Sequence, residues 1–144
     1  MSTQLAQQLL HDKQNTVRAI ACEAEVPPDF ALAVLDQESG FENNMRGSLG
    51  EIGASQILPS TAVVLGLDLQ RLAREFSYNA RAGVSILRGL LRQSRGNRHK
   101  ALCAYLAGPG WPRLAPPLQS QVQAYVASVI EQLMQTRYAG VSCQ

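Results

Sequence analysis

Apolar residues in this chain recur three and four positions apart, and no segment alternates convincingly with period two, so the fold is restricted to packed helices. Proline and glycine cut that pattern into pieces. Val17, Ile20, Ala21 and Ala24 share a face that stops at Pro27 and Pro28, after which Asp29 is placed to cap a second helix running to about Gln37 or Glu38. Ser39-Gly40 then ends it. From Phe41 to Gln56 the sequence carries Gly47, Gly50 and Gly53 without a sustained period, which reads as an ordered loop or a short irregular sheet. Ser60-Thr61 is placed to cap a short run from Ala62 to Leu65, and Leu69 to Arg74 forms another turn or two. Over residues 78–93, Val84, Ile86, Leu87, Leu90 and Leu91 fall on one side of a helix. Arg81, Arg88, Arg92 and Arg95 fall within about 60° on the other. A helix from about Arg98 carries Ala101, Leu102 and Tyr105 into a Gly108-Pro109-Gly110 turn. The last helix, about 118–136, shows a stripe of Leu118, Val122, Tyr125, Val129 and Leu133.

At 144 residues, 46% of them hydrophobic, and with no repeat or dividing linker, the chain is expected to form one mainly α domain, residues 1–144, with a real core. Its longest uncharged stretches, Ile52 to Leu67 and Leu114 to Ile130, are broken by prolines and glutamines, which excludes a membrane span. Cys22, Cys103 and Cys143 are too few and too scattered for a disulfide scaffold, and read as buried thiols. The opening residues lack a basic start followed by an apolar run and read as the beginning of a helix, so no export signal is visible. Charge is distributed unevenly: residues 1–75 hold ten acids against five bases, whereas residues 76–130 hold seven bases and no acid. One face is therefore suited to an anionic partner.

Glu38 is the residue whose placement conflicts most with its chemistry. At 100° per residue it projects into the arc formed by Phe30, Ala31, Leu32, Val34 and Leu35. Apolar surroundings disfavour the charged form of a carboxyl and raise its pKa, as a general acid working near neutral pH requires. The plain alternative is that Glu38, last in its helix, bends out to solvent or caps a neighbouring backbone.

Four blocks decide between these readings: Glu38-Ser39; Gly50, Gly53, Gln56, Ile57, Pro59, Thr61 and Ala62; Asn79 with Gly83; and Ala104-Tyr105 with Ala107-Gly108-Pro109-Gly110. In this order and spacing, over about residues 15–115, they resemble the catalytic domain of the soluble lytic transglycosylases, which is related to goose-type lysozyme. The resemblance implies a lysozyme-like α domain with a glycan-binding cleft. It also implies cleavage of the β-1,4 bond between N-acetylmuramic acid and N-acetylglucosamine in peptidoglycan, with Glu38 as the sole acid and then base. Most glycosidases use a second carboxylate, and substrate-assisted enzymes are the exception. In this family the muramyl N-acetyl group takes that part. The sugar's own C6 hydroxyl then closes a 1,6-anhydro ring.

By the same resemblance, Tyr105 lies near Glu38 and hydrogen-bonds it, Gln56 lines the cleft, and Ser39 supports substrate or the loop; the three are candidate substrate-binding residues. From the residues alone, Tyr105 also fits the core and Ser39 a helix end. Glu51 is the candidate second carboxylate. Facing the cleft it would make the protein a hydrolysing lysozyme; hydrogen-bonded to backbone N–H groups it is structural, the preferred reading. Asp36 and Glu42 read as solvated. Two departures from the family pattern stand out: Ala54-Ser55 replaces the usual Leu-Met, and Leu106 the usual Asn. Both are expected at the cleft, and they motivate a further alternative, a domain that binds peptidoglycan or organises an envelope assembly without cutting.

Peptidoglycan glycan strands are the expected partner, with the arginine stripe attracting their carboxylates or phosphates; no nucleic-acid motif accompanies the basic helix. No cofactor is implied, and His11 and His99 lack the neighbours a metal site needs. Such a substrate lies outside the cytoplasmic membrane, in the periplasm or beyond. A phage or secretion-machine component, a delivered toxin, or a sequence lacking its leader would each reconcile this with the absent signal.

Overall fold

Pro27 and Pro28 separate the first two helices, and the second is the axis around which the rest is built. A computed structural model describes all 144 residues. Helix α1 (Thr3–Glu23) is N-capped by Ser2, whose Oγ accepts the Leu5 N–H at 3.1 Å. Helix α2 (Pro28–Ser39) ends at Gly40 in the left-handed conformation. Its residues Phe30 to Leu35 are all buried, so α2 is enclosed on every side and not merely along one arc. Asp29 does not cap it. The helix begins at Pro28, a residue that gives up no needed N–H at that position. Asp29 lies in the first turn, where its carboxylate meets Arg98 Nη1 at 3.0 Å.

An ordered loop, residues 41–58, connects α2 to α3 (Pro59–Val64). Only isolated antiparallel bridges occur in it, Arg46 with Ile52 and Ile52 with Ile57. Pro59 itself opens α3, without the side-chain cap expected of Ser60-Thr61, and of the apolar run only Ala62 is buried. Then follow α4 (Leu69–Arg74), α5 (Phe76–Gln93) and α6 (Arg98–Ala107), the last capped by Asn97 Oδ1 on the Lys100 N–H at 3.0 Å. The fold is mainly helical and contains no extended strand. No helix is long and apolar enough to cross a membrane.

The C-terminal helix departs from its expected register. It runs as α7 (Pro116–Tyr125), a π-helical stretch (Val126–Ile130) and α8 (Glu131–Gln135). A π turn takes in an extra residue, so the buried stripe slips by one position. Val126 and Ile130 enter the core in place of Tyr125 and Val129, and Leu118 is left 51% exposed.

The cysteine expectation is overturned for two of the three residues. Cys22 and Cys143, 121 positions apart, form a disulfide, and only Cys103 is a buried thiol. The bond fastens the C-terminal segment to α1, assisted by Arg18 Nε donating to the Ser142 carbonyl at 2.6 Å. Asp36, expected to be solvated, belongs to the same attachment: it accepts from Arg137 Nη1 at 2.6 Å and from the Tyr138 hydroxyl at 2.8 Å. Glu42 sits 3.6 Å from Lys13. His99, expected to lack an acidic neighbour, has Nδ1 2.6 Å from Glu131 Oε1. Because the disulfide closes so long a loop, exchanging both cysteines for serine is expected to cost about 3–5 kcal/mol. Unfolding in denaturant, with and without reductant, measures this. Reductant should lower the wild-type midpoint to that of the variant.

Candidate active site

Glu38 occupies the last turn of α2, half-buried, at the edge of a cleft of about 600 Å³. Loop 41–58 and α3 contribute Glu51, Gln56 and Thr61 to the lining, and Tyr105 enters from α6. Ile86 and Leu90 of α5, with Leu106 of α6, make much of the apolar surface. The cleft thus combines a few convergent polar groups with an apolar bed, as ligand sites generally do. Burial pushes the Glu38 carboxyl up to about 7, with the Glu51 carboxylate adding to the rise. No cation or hydrogen bond within the chain offsets either effect. Glu38 is therefore held near the midpoint of its titration at neutral pH, where one group can both give and take a proton.

Glu51 shares the cleft but is committed to the loop: its Oε1 accepts the Leu49 N–H at 2.7 Å. Gln56 is held in a left-handed backbone conformation, with Nε2 donating to the carbonyls of Gly53 at 3.0 Å and Met45 at 3.3 Å. The Tyr105 hydroxyl donates to the Ser55 carbonyl at 2.6 Å, and so is not a donor to Glu38. Burial, together with the neighbouring Glu38 charge, pushes the phenol far above its ordinary range and keeps it neutral. Ser39 does not line the cleft. Its hydroxyl, buried, reaches the Ala54 carbonyl at 2.7 Å and the Leu35 carbonyl at 3.3 Å, which ties the end of α2 to the loop.

Ala54 and Ser55 also lie away from the cleft, contrary to expectation: both are fully buried. Ser55 donates its N–H to Asn79 Oδ1 at 2.8 Å and its hydroxyl to the Asn79 carbonyl at 3.1 Å. Asn79 Nδ2 donates in turn to the carbonyls of Ile52 and Leu72, so one side chain fastens the loop and α4 to α5. Ser55 fits only because residue 83 is glycine: a Cβ there would stand 2.1 Å from Ser55 Oγ. Of the two departures, Leu106 alone reaches the cleft, 37% exposed.

Sequence reasoning missed Asn43. Its Oδ1 accepts the Ala54 N–H at 3.0 Å and its Nδ2 donates to the Leu72 carbonyl at 3.2 Å, a second clasp on the loop. An isolated Asn in an aperiodic segment carries no signal for such a role. The apolar contribution of Leu49 and Leu58 to the cleft was equally silent.

This helical body, with one uncompensated acid at a groove, has the lysozyme-like fold of solved lytic transglycosylases. Two of these are similar to it across most of its length. An inactive Glu-to-Gln mutant of the lytic transglycosylase Slt from Pseudomonas aeruginosa superposes with a TM-score of 0.71 over 90% of this chain at 24% identity. The 70 kDa soluble lytic transglycosylase of Escherichia coli does so with a TM-score of 0.70 at 21% identity, again over 90% of this chain. The chain belongs to the transglycosylase SLT domain family, whose profile matches residues 15–115. It is 30% identical over 93 residues, 60% of its length, to the soluble lytic murein transglycosylase of Escherichia coli K12. It spans 14% of that relative and 25% of each structural neighbour.

Proposed function

We propose that this chain is a peptidoglycan lytic transglycosylase in which Glu38 acts first as general acid and then as base, residues 1–144 working as one unit. The observation carrying this reading is the uncompensated Glu38 carboxyl in the cleft, held up to about 7. The protonated form delivers its proton to the glycosidic oxygen between N-acetylmuramic acid and N-acetylglucosamine. As that bond breaks, the muramyl N-acetyl group supports the anomeric carbon. Glu38, now a carboxylate, takes the proton of the C6 hydroxyl, which closes the 1,6-anhydro ring without consuming water. Positioning falls to the surroundings: Gln56 and Tyr105 line the site, and Ser39 holds the loop against α2.

The hydrolytic alternative requires Glu51 to activate water, and the hydrogen bond to the Leu49 N–H supports a structural role instead. The Cys22–Cys143 disulfide supports action in an oxidising compartment, which suits a cell-wall substrate. Purified sacculi, with products read by mass spectrometry, test the reading. Anhydro-muramyl ends are expected; ends heavier by one water would assign a lysozyme, and no release a binding domain.

The pH dependence carries a sign. The free enzyme must hold Glu38 protonated, so kcat/KM is expected to be level below about 7 and to fall toward tenfold per pH unit above it. Rates on sacculi between pH 5 and 9 check this. A profile still rising above pH 8 would remove Glu38 from the acid's role.

A further inference from the structure

We propose that Arg88 and Arg92, on the side of α5 turned away from the cleft, form with Arg95, just beyond the end of that helix, a second binding site, and that it takes the free carboxylates of peptidoglycan stem peptides. The inference rests on the substrate class assigned above and adds where else that substrate is held. The three side chains line a concavity of about 390 Å³ with Leu91 and Gly96. Arg81, the fourth member of the stripe, is already occupied by Glu23 at 3.2 Å. Arg88, Arg92 and Arg95 enter none of the six side-chain ion pairs of the chain. Arg88 is also half-buried, between this concavity and a smaller one of about 230 Å³.

Arg88 and Arg92, four apart on α5, repel, and Arg95 just beyond its end adds a third like charge, so this arrangement weakens the end of α5 unless an anion is present. A guanidinium fork matches a carboxylate in two parallel hydrogen bonds, and three forks around one hollow suit a small branched anion. The rim argues against an extended polyanion. Glu25 lines the same concavity and Glu23 the adjoining one. A nucleic-acid duplex, with a charge every ~1.7 Å, would be driven onto both acids. A discrete peptide carboxylate meets only Glu25, against three guanidinium groups. On an ideal helix, Ile86 and Leu90, which line the cleft, lie about half a turn from Arg88 and Arg92. A peptide held on the arginine side therefore leaves the cleft open to a glycan strand.

The test uses sedimentation with sacculi freed of phosphate-bearing polymers by hydrofluoric acid, in a Glu38→Gln background that does not cut them. At about 0.05 M salt, exchanging the three arginines for Gln is expected to weaken binding about tenfold, and the difference should vanish near 0.5 M. Amidating the sacculus carboxyls should weaken the unexchanged protein to the same level. Binding that ignores either change overturns the site, as does absence of binding by the unexchanged protein. A duplex oligonucleotide that needs the three arginines while sacculus binding does not would reassign the surface to nucleic acid. Peptide-free glycan strands separate this inference from the catalytic one: with Glu38 intact, the triple variant should release products at the wild-type rate. If neither protein cuts but sacculus binding still requires the arginines and the carboxyls, the second site stands and the catalytic reading fails.

Discussion

Glu38→Gln is expected to abolish product release from sacculi, by about 10³-fold or more, while making the protein more stable above neutral pH. Gln keeps the shape of the side chain and cannot exchange a proton. The stability change follows from the native carboxyl titrating near 7 against 4.5 for an unperturbed one. Below about 4.5 it is protonated folded or unfolded and has no effect. Between about 4.5 and 7 the unfolded chain releases the proton while the folded one retains it, so stability falls as pH rises. Above 7 the native protein carries a penalty on the order of 3 kcal/mol that the Gln variant lacks. Denaturant unfolding at pH 4 and pH 8.5 checks both ends: the two proteins should match at the first and diverge at the second. Equal stability at both would mean the carboxyl is well solvated, and the proposed mechanism would lose its acid.

Replacing Gly83 by alanine is expected to destabilise the protein and to impair the site. The new Cβ would stand 2.1 Å from Ser55 Oγ and 2.5 Å from Ser55 Cβ, so Ser55 must move. Ser55 is enclosed and bonded through both its N–H and its hydroxyl to Asn79, and its carbonyl anchors Tyr105. Overpacking of this kind costs about 2–3 kcal/mol. Melting should fall by roughly 8 °C. Activity should drop further than stability alone explains, since displacement of Tyr105 disturbs the wall facing Glu38, and small misplacements cost rate steeply. A second substitution, Ser55→Gly, removes the obstruction. In a double-mutant cycle the pair should recover at least about 1 kcal/mol relative to the sum of the singles. Strict additivity would mean that the two residues do not share this space.

How much of this was legible depended on whether a residue sat in a periodic segment. The break at Pro27-Pro28 and the limits of α4 could be read because backbone chemistry at those positions is local. Glu38 could be read because a carboxyl interrupted an apolar arc. Ala54 and Ser55 could not: loop 41–58 repeats nothing, so the direction of each side chain is set by partners, Asn43 and Asn79, that lie far along the sequence or carry no signal. The Cys22–Cys143 bond was hidden for a similar reason, since three scattered cysteines do not reveal which two will meet. Ser39 was recognisable as the neighbour of the acid, yet its hydroxyl goes to Ala54, a bond that exists only once the loop has folded back on α2.

The wide turn at Val126–Ile130 separates two properties that a regular helix links, its length in residues and the heading of everything beyond it. Ordinary α winding of the same residues would take up no extra one, and would swing the following segment by about 100°. Arg137 and Tyr138 would then be carried off Asp36, and Cys143 out of line with Cys22. The irregularity acts as a phase setting that brings the tail of the chain onto the helix bearing the acid, so a change that regularised this turn without removing a residue would unlatch the tail from that helix.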